Sequence, residues 1–230
     1  MLQVQKINQF YSGSHILRDV TFEVPKGSLT VLMGRNGVGK TTMTKAIMGV
    51  VPIKSGDILL EGKSIIKMPS YERVANGIAF VPQGRDIFPR LTVHENLLVG
   101  GASLKASKKI PEMIYELFPI LKEMSHRNGG DLSGGQQQQL AIGRALMSQP
   151  KLIILDEPTE GIQPNIITQI GETLVKLVKE QGITILLIEQ YLDFIKKVAD
   201  KYVVMSRGEI IAQGNGSEID QDGIGQLVSV

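Results

Sequence analysis

The stretch GRNGVGKT, Gly34 to Thr41, constrains this chain more than any other. It follows SLTVLMG at 28–34, an apolar run that reads as a strand ending at Met33, and leads into a helix expected to begin near Lys40. In a strand–loop–helix setting, the pattern G-x-x-x-x-G-K-[ST] turns backbone N–H groups toward a phosphate, and the helix N-terminus adds its dipole. Gly34, Arg35, Asn36, Gly37, Val38 and Gly39 would form the cradle, with Thr42 just behind it. Lys40 would reach the β and γ phosphates, and Thr41 would ligate Mg2+.

Other strand-like runs, GIAFVPQG at 77–84, KLIILDEP at 151–158 and ITILLIEQ at 183–190, are nearly continuous in apolar residues. Such strands suit a sheet covered on both faces by helices, hence an α/β class. LQVQKIN at 2–8, VTFEV at 20–24 and GDILLEG at 56–62 alternate instead, as expected of a small antiparallel sheet beside the main one. Between Arg85 and about Gln149 the strand signals give way to helical stretches such as PEMIYELFPILKEM at 111–124. The expected organisation is one domain over 1–230, with an α/β core from 1–84 and 150–230 and a helical lobe at 85–149. After Pro164, Ile166, Ile170, Leu174 and Leu177 recur at helical spacing until Gly182.

LIILDE carries Asp156 to a strand end, where it would hold the Mg2+ shell, and places Glu157 next to it. A metal-bound Asp156 stays ionised, which leaves Glu157 to orient or deprotonate an attacking water. The two motifs define a Mg-nucleotide site without saying which chemistry it serves. No guanine-reading N-K-x-D is present, so adenine is expected.

Composition narrows the field mainly by exclusion. A net charge of +2, with Lys and Arg scattered, supplies no nucleic-acid footprint. The absence of cysteine excludes disulfides, thiolate metal ligands and cysteine nucleophiles. His15, His94 and His126 lack metal-ligand spacing. No apolar run is long enough to span a bilayer, and MLQVQKINQF lacks the core of a signal peptide, so a cytosolic chain is expected, associated with a membrane only through other proteins.

A second phosphate device follows. LSGGQ, Leu132 to Gln136, opens a helix in which Ala141 with Ala145 and Ile142 with Leu146 recur four apart. One nucleotide hardly needs two such devices from one chain, which points to a nucleotide held by a partner. Here the sequence resembles the ATP-binding cassette (ABC) family over essentially its whole length. The resemblance implies a P-loop NTPase (RecA-like) core with an N-terminal antiparallel β-subdomain and an inserted α-helical signature subdomain. It implies a head-to-tail dimer in which Ser133, Gly134, Gly135 and Gln136 touch the partner's ATP. It further implies that Tyr11 stacks on adenine and that Gln83 senses Mg2+ and the attacking water. RDIFPRLTVHENL at 85–97 would border the groove for a membrane subunit, with exposed Phe88 and Leu91 as its apolar contacts.

Two positions depart from the family pattern. Gln190 stands where most members have a histidine on the γ-phosphate, and Gln163 replaces an aspartate that helps join the two nucleotide sites. A glutamine N–H still donates to phosphate but cannot become cationic, so a tuned site is expected rather than a dead one. Gln190, with DEPTEGIQP and LSGGQQQQLAIGRAL, is similar to the second ATPase of branched-chain amino acid and urea importers. That branch implies a heterodimer with a histidine-bearing ATPase on two permeases, fed by a solute-binding protein, at the cytoplasmic face of the inner (plasma) membrane. FPRLTVHENLL, IYELFPILKEM, GIQPNII and EQYLDF look most like the urea version, so urea is expected ahead of leucine-type substrates. A soluble ABC ATPase of DNA repair or translation is an alternative that the near-neutral charge and the lack of a second cassette oppose. So is a cassette that binds ATP without hydrolysing it, which Glu157 opposes.

Overall fold

The computed structural model describes residues 1–102, 109–220 and 223–225. The chain begins with β1 (Leu2–Tyr11), β2 (Ser14–Val24), β3 (Leu29–Met33) and α1 (Lys40–Ile47). There follow β4 (Ser55–Leu60), β5 (Lys63–Ser64), α2 (Ser70–Ala75) and β6 (Ile78–Val81). A helical stretch comes next: α3 (Val93–Gly100), α4 (Glu112–Leu117), α5 (Pro119–Glu123) and α6 (Gly134–Leu146). β7 (Leu152–Asp156), α7 (Pro164–Lys179), β8 (Thr184–Ile188), α8 (Leu192–Val198), β9 (Lys201–Ser206) and β10 (Glu209–Asn215) complete it.

The strands form two sheets. β2-β1-β4-β5 is antiparallel, and β10-β9-β3-β8-β7-β6 is parallel except for β10 at its edge. Every residue of β3, β7 and β8 is buried, because each face of the large sheet has its own cover. Val31, Ile153, Leu155, Ile185 and Leu187 share one core with Leu140 of α6 and with Ile170 and Leu174 of α7. Leu32, Ile154, Leu186 and Ile188 share the other with Met43 and Ile47 of α1 and with Phe22 and Ile58 of the antiparallel sheet. The period-2 alternation of strand side chains divides one apolar run between two cores. The consequence for function lies at the carboxyl edge of the parallel strands, where β7 ends at Asp156 and the chain leaves β3, β6 and β8 through Gly34, Gln83 and Gln190.

The phosphate-side helix α1 is fixed at its far end by a buried guanidinium. Arg73 of α2 donates from Nη1 to the carbonyls of Ala46 (2.8 Å) and Ile47 (2.6 Å), from Nε to Met68 (2.9 Å) and from Nη2 to Ile66 (3.2 Å). It thereby satisfies the Ile47 carbonyl that the helix end leaves unpaired, and it joins the Gly49 N–H on the Ala46 carbonyl. Gly49 turns the chain there at φ +70°, and a Cβ on it would lie 2.8 Å from the guanidinium.

The sequence expectations need one correction, at Leu91, and two additions. The run 111–124 is two helices, α4 and α5, because Pro119 has no N–H to continue the ladder and sits at the first position of a new helix. Leu91 is half-buried rather than exposed, whereas Phe88 is exposed as expected. The hairpin β9–β10, not expected from the sequence, turns at Arg207–Gly208, both at positive φ, and its first strand YVVM is buried beside β3.

Replacing Arg73 with leucine strands the buried Ile47 carbonyl and the part-buried Met68 and Ile66 carbonyls, so the variant should lose about 2–4 kcal/mol of unfolding free energy in denaturant titration. A stability within about 0.5 kcal/mol of the parent, the usual range for surface changes, would contradict the role given to Arg73.

Candidate active site

The loop after β3 bends through Gly34, Gly37 and Gly39 at φ +155°, +79° and +113°. Gly34 is required for space as well, since a Cβ would meet the Met205 carbonyl at 2.3 Å. Gly39 caps α1 without a side chain, leaving the first helical N–H groups directed into the loop. Arg35, Asn36, Gly37 and Thr41 are exposed, Val38 and Thr42 are half-buried, and Lys40 is only 5% exposed.

The Lys40 ammonium donates to the carbonyls of Gly34 (2.7 Å) and Arg35 (3.0 Å) and lies 3.7 Å from Glu157 Oε1. Burial lowers its pKa, and Glu157 and Asp156 oppose that shift. Glu157 stands at φ +47°, with its N–H bonded to the Ile188 carbonyl at 2.9 Å. Burial raises its pKa; Lys40 pulls it down, while Glu189 and Glu160 push it further up. Burial, with the charge of Glu157 adding, pushes Asp156 up to about 6, against Lys40 and the hydroxyls of Thr44 and Thr41. Its Oδ1 is buried without a hydrogen-bond partner among the described residues.

Gln83, at the end of β6, donates to Glu160 Oε2 (3.0 Å) and Glu157 Oε2 (3.4 Å). Lys40, Asp156, Glu157 and Gln83 therefore meet in one place. Tyr11 is 42% exposed at the β1–β2 turn, and β2 runs from there past the loop, where Leu17 lies against Gly39. Gln190 is exposed at the end of β8.

The signature residues form a separate tip. Ser133 caps α6: its N–H bonds Gln136 Oε1 at 2.9 Å, and its Oγ accepts from the Gln136 N–H at 3.4 Å. Gly134 lies against the Arg85 guanidinium, and Gly135 against Ile166 of α7, where a Cβ would stand 2.9 Å from the isoleucine. Arg85 in turn donates to the Glu160 carbonyl at 3.1 Å. Glu160, Glu189, Thr44 and this use of Arg85 were not foreseen. For Glu189 the signal available was a carboxylate closing an almost wholly apolar strand.

A phosphate loop at the carboxyl end of a central parallel strand, faced by an acidic pair at the end of β7, the next strand but one, defines a P-loop nucleoside triphosphatase. The ABC transporter family model matches residues 17–160, which together with the relatives below places the chain in that family. The branched-chain amino acid transport ATP-binding protein BraG of Pseudomonas aeruginosa is 42% identical over 95% of this chain and 94% of its own. The probable branched-chain amino acid transport ATP-binding protein LivF of Archaeoglobus fulgidus is 34% identical over 95% and 94%. A solved nucleotide-free ATP-binding cassette from an ABC transporter superposes with a TM-score of 0.87 at 32% identity, covering 100% of this chain and 97% of that one. The chain is an ABC ATPase that binds and hydrolyses ATP. Among the described residues, no helix is long and apolar enough to cross a membrane.

An ionised Asp156 is unfavourable in the nucleotide-free fold, because its folded pKa lies above the ordinary value of 3.8. The penalty is full above about pH 6 and vanishes below about pH 4, where both folded and unfolded states are protonated. Asp156→Asn should therefore raise the nucleotide-free unfolding midpoint at pH 7.5, by on the order of 1–3 kcal/mol in stability. The gain should shrink toward pH 4. Thermal unfolding across that range tests this, and a destabilised variant at pH 7.5 would contradict it.

Proposed function

We propose that this chain is the ATPase subunit of an importer for branched-chain amino acids and that it hydrolyses ATP with its own phosphate loop and the signature of a second cassette. The observation that carries the chemistry is the meeting of Lys40, Asp156 and Glu157 beside the loop. Gly34 to Thr42 hold the phosphates, Tyr11 stacks on adenine, and Ser133 to Gln136 face the partner's nucleotide. The oxygens of Thr41, Asp156 and Gln83 suit a hard cation, and the unpartnered Asp156 Oδ1 fits them to Mg2+. When bound, Mg2+ would neutralise charge on the β and γ phosphates.

Glu157 accepts a proton as water oxygen attacks the γ-phosphorus and the bond to the β–γ bridging oxygen breaks. Gln83 donates to the far oxygen of Glu157 and so orients that carboxylate. Lys40, between loop carbonyls and Glu157, supplies positive charge to the leaving oxygen side. Gln190 donates an amide N–H to the γ-phosphate in place of an imidazolium.

For the transported solute, both relatives named above are called branched-chain amino acid transport proteins, and this outweighs the urea expectation drawn from short sequence phrases. The proposed assembly pairs this chain with a histidine-bearing ATPase on two permeases, served by a solute-binding protein. The chain then sits peripherally at the cytoplasmic membrane face. Nucleic acid has no part in this reading.

In single-turnover hydrolysis by the assembled pair, Glu157→Gln should slow this site by about 10²-fold or more. Gln190→His should raise the rate about fivefold, corresponding to roughly 1 kcal/mol. An unchanged Glu157→Gln rate would remove hydrolysis from this site, and a collapse in Gln190→His would refute the tuned-site reading. Calorimetry on the co-purifying solute-binding protein should give leucine binding without urea binding; the reverse would restore the urea assignment.

A further inference from the structure

Glu189 is a buried carboxylate, 2% exposed, to which the roles above give no task. Its Oε2 accepts the Thr159 hydroxyl at 2.7 Å. Its Oε1 accepts the backbone N–H groups of Gln190 at 2.8 Å and Tyr191 at 3.1 Å. Thr159 lies between Glu157 and Glu160 in the turn that leaves β7, whereas Gln190 and Tyr191 form the turn that leaves β8. One side chain thus joins two turns 30 residues apart in sequence. The N–H of Glu157 on the Ile188 carbonyl ties the same two segments a second time.

Packing alone does not call for a carboxylate here. A buried charge is unfavourable unless hydrogen bonds compensate it, and an apolar residue would continue the strand more cheaply. The three donors converge on Glu189 from the two turns that carry the groups facing the γ-phosphate in the proposed mechanism. We infer that Glu189 is a positioning residue: it fixes the turn of Glu157 and Glu160 to the turn of Gln190, so that both present their groups to the γ-phosphate in one geometry. This rests on the assignment of Glu157 and Gln190 made above. Nucleotide affinity belongs to a different part of the site, the loop from Gly34 to Thr42, so loss of the link should act on turnover rather than on binding.

The test is ATP hydrolysis by the full chain purified with its co-purifying partners, with kcat and KM measured separately. Glu189→Ala should lower kcat by about 10- to 100-fold, the scale of a small misplacement of reacting groups, with KM within about twofold. Glu189→Gln keeps an acceptor for the two N–H groups and a polar partner for Thr159, and should recover kcat to within about threefold of the parent. A parent-like kcat in Glu189→Ala, a loss confined to KM, or a glutamine variant as impaired as alanine would each overturn the inference.

If Glu189→Ala does not fold, Thr159→Val carries the test, because it removes the hydroxyl that Glu189 Oε2 accepts. It should lower kcat several-fold with KM within about twofold, and Thr159→Ser should restore kcat; a parent-like kcat in Thr159→Val overturns the inference. Glu157→Gln is run in parallel. Retained turnover there removes the underlying assignment and the inference with it, whereas lost turnover beside a fully active Glu189→Ala removes the inference alone.

Discussion

Everything in the site is arranged around the ammonium of Lys40. A charge this deeply buried needs compensation on every side, and it finds two loop carbonyls and the Glu157 carboxylate. The carbonyls are available only because the loop bends through glycines, and the carboxylate only because β7 ends within reach. Desolvation pushes the lysine toward neutrality and the two carboxyls toward protonation, while their mutual attraction holds the charged forms. The lysine and the two carboxyls are thus held in balance by opposed burial and charge at the edge where the phosphate loop lies.

That balance holds because the framework beneath it is rigid. Five parallel strands, buried on both faces where they matter most, end on a common edge, and each contributes backbone or side chain to the phosphate region. Arg73 anchors the far end of α1, and Glu189 ties two of the edge turns together. The signature tip is built differently. Its serine and glutamine cap their own helix, and its glycines lie against Arg85 and Ile166, so its polar groups are organised apart from the Lys40 cluster.

Much of this was legible in the sequence for physical reasons. Runs buried on both faces must be almost wholly apolar, which exposed β3, β7 and β8, and a glycine-lysine-threonine loop between strand and helix has few other uses. The acidic pair was readable because it interrupts an apolar strand end. What stayed hidden depends on partners distant in sequence. Arg73 looks like any helix-surface arginine until its four carbonyls are seen, and Glu189 like the polar end of a strand until Thr159 is found beneath it. The hairpin at 201–215 is signalled in the sequence only by its YVVMS run and the Arg-Gly turn. No residue here encodes a transported solute: short phrases point to urea, whereas the whole-chain relatives named above carry branched-chain amino acid names.

The central claim is that this chain's loop and another cassette's signature close on one nucleotide. Sedimentation velocity of Glu157→Gln mixed with the co-purifying second ATPase, with and without Mg-ATP, tests it most directly. The account predicts separate chains without nucleotide and a stable one-to-one complex with it. Sedimentation unchanged by nucleotide would contradict the composite site.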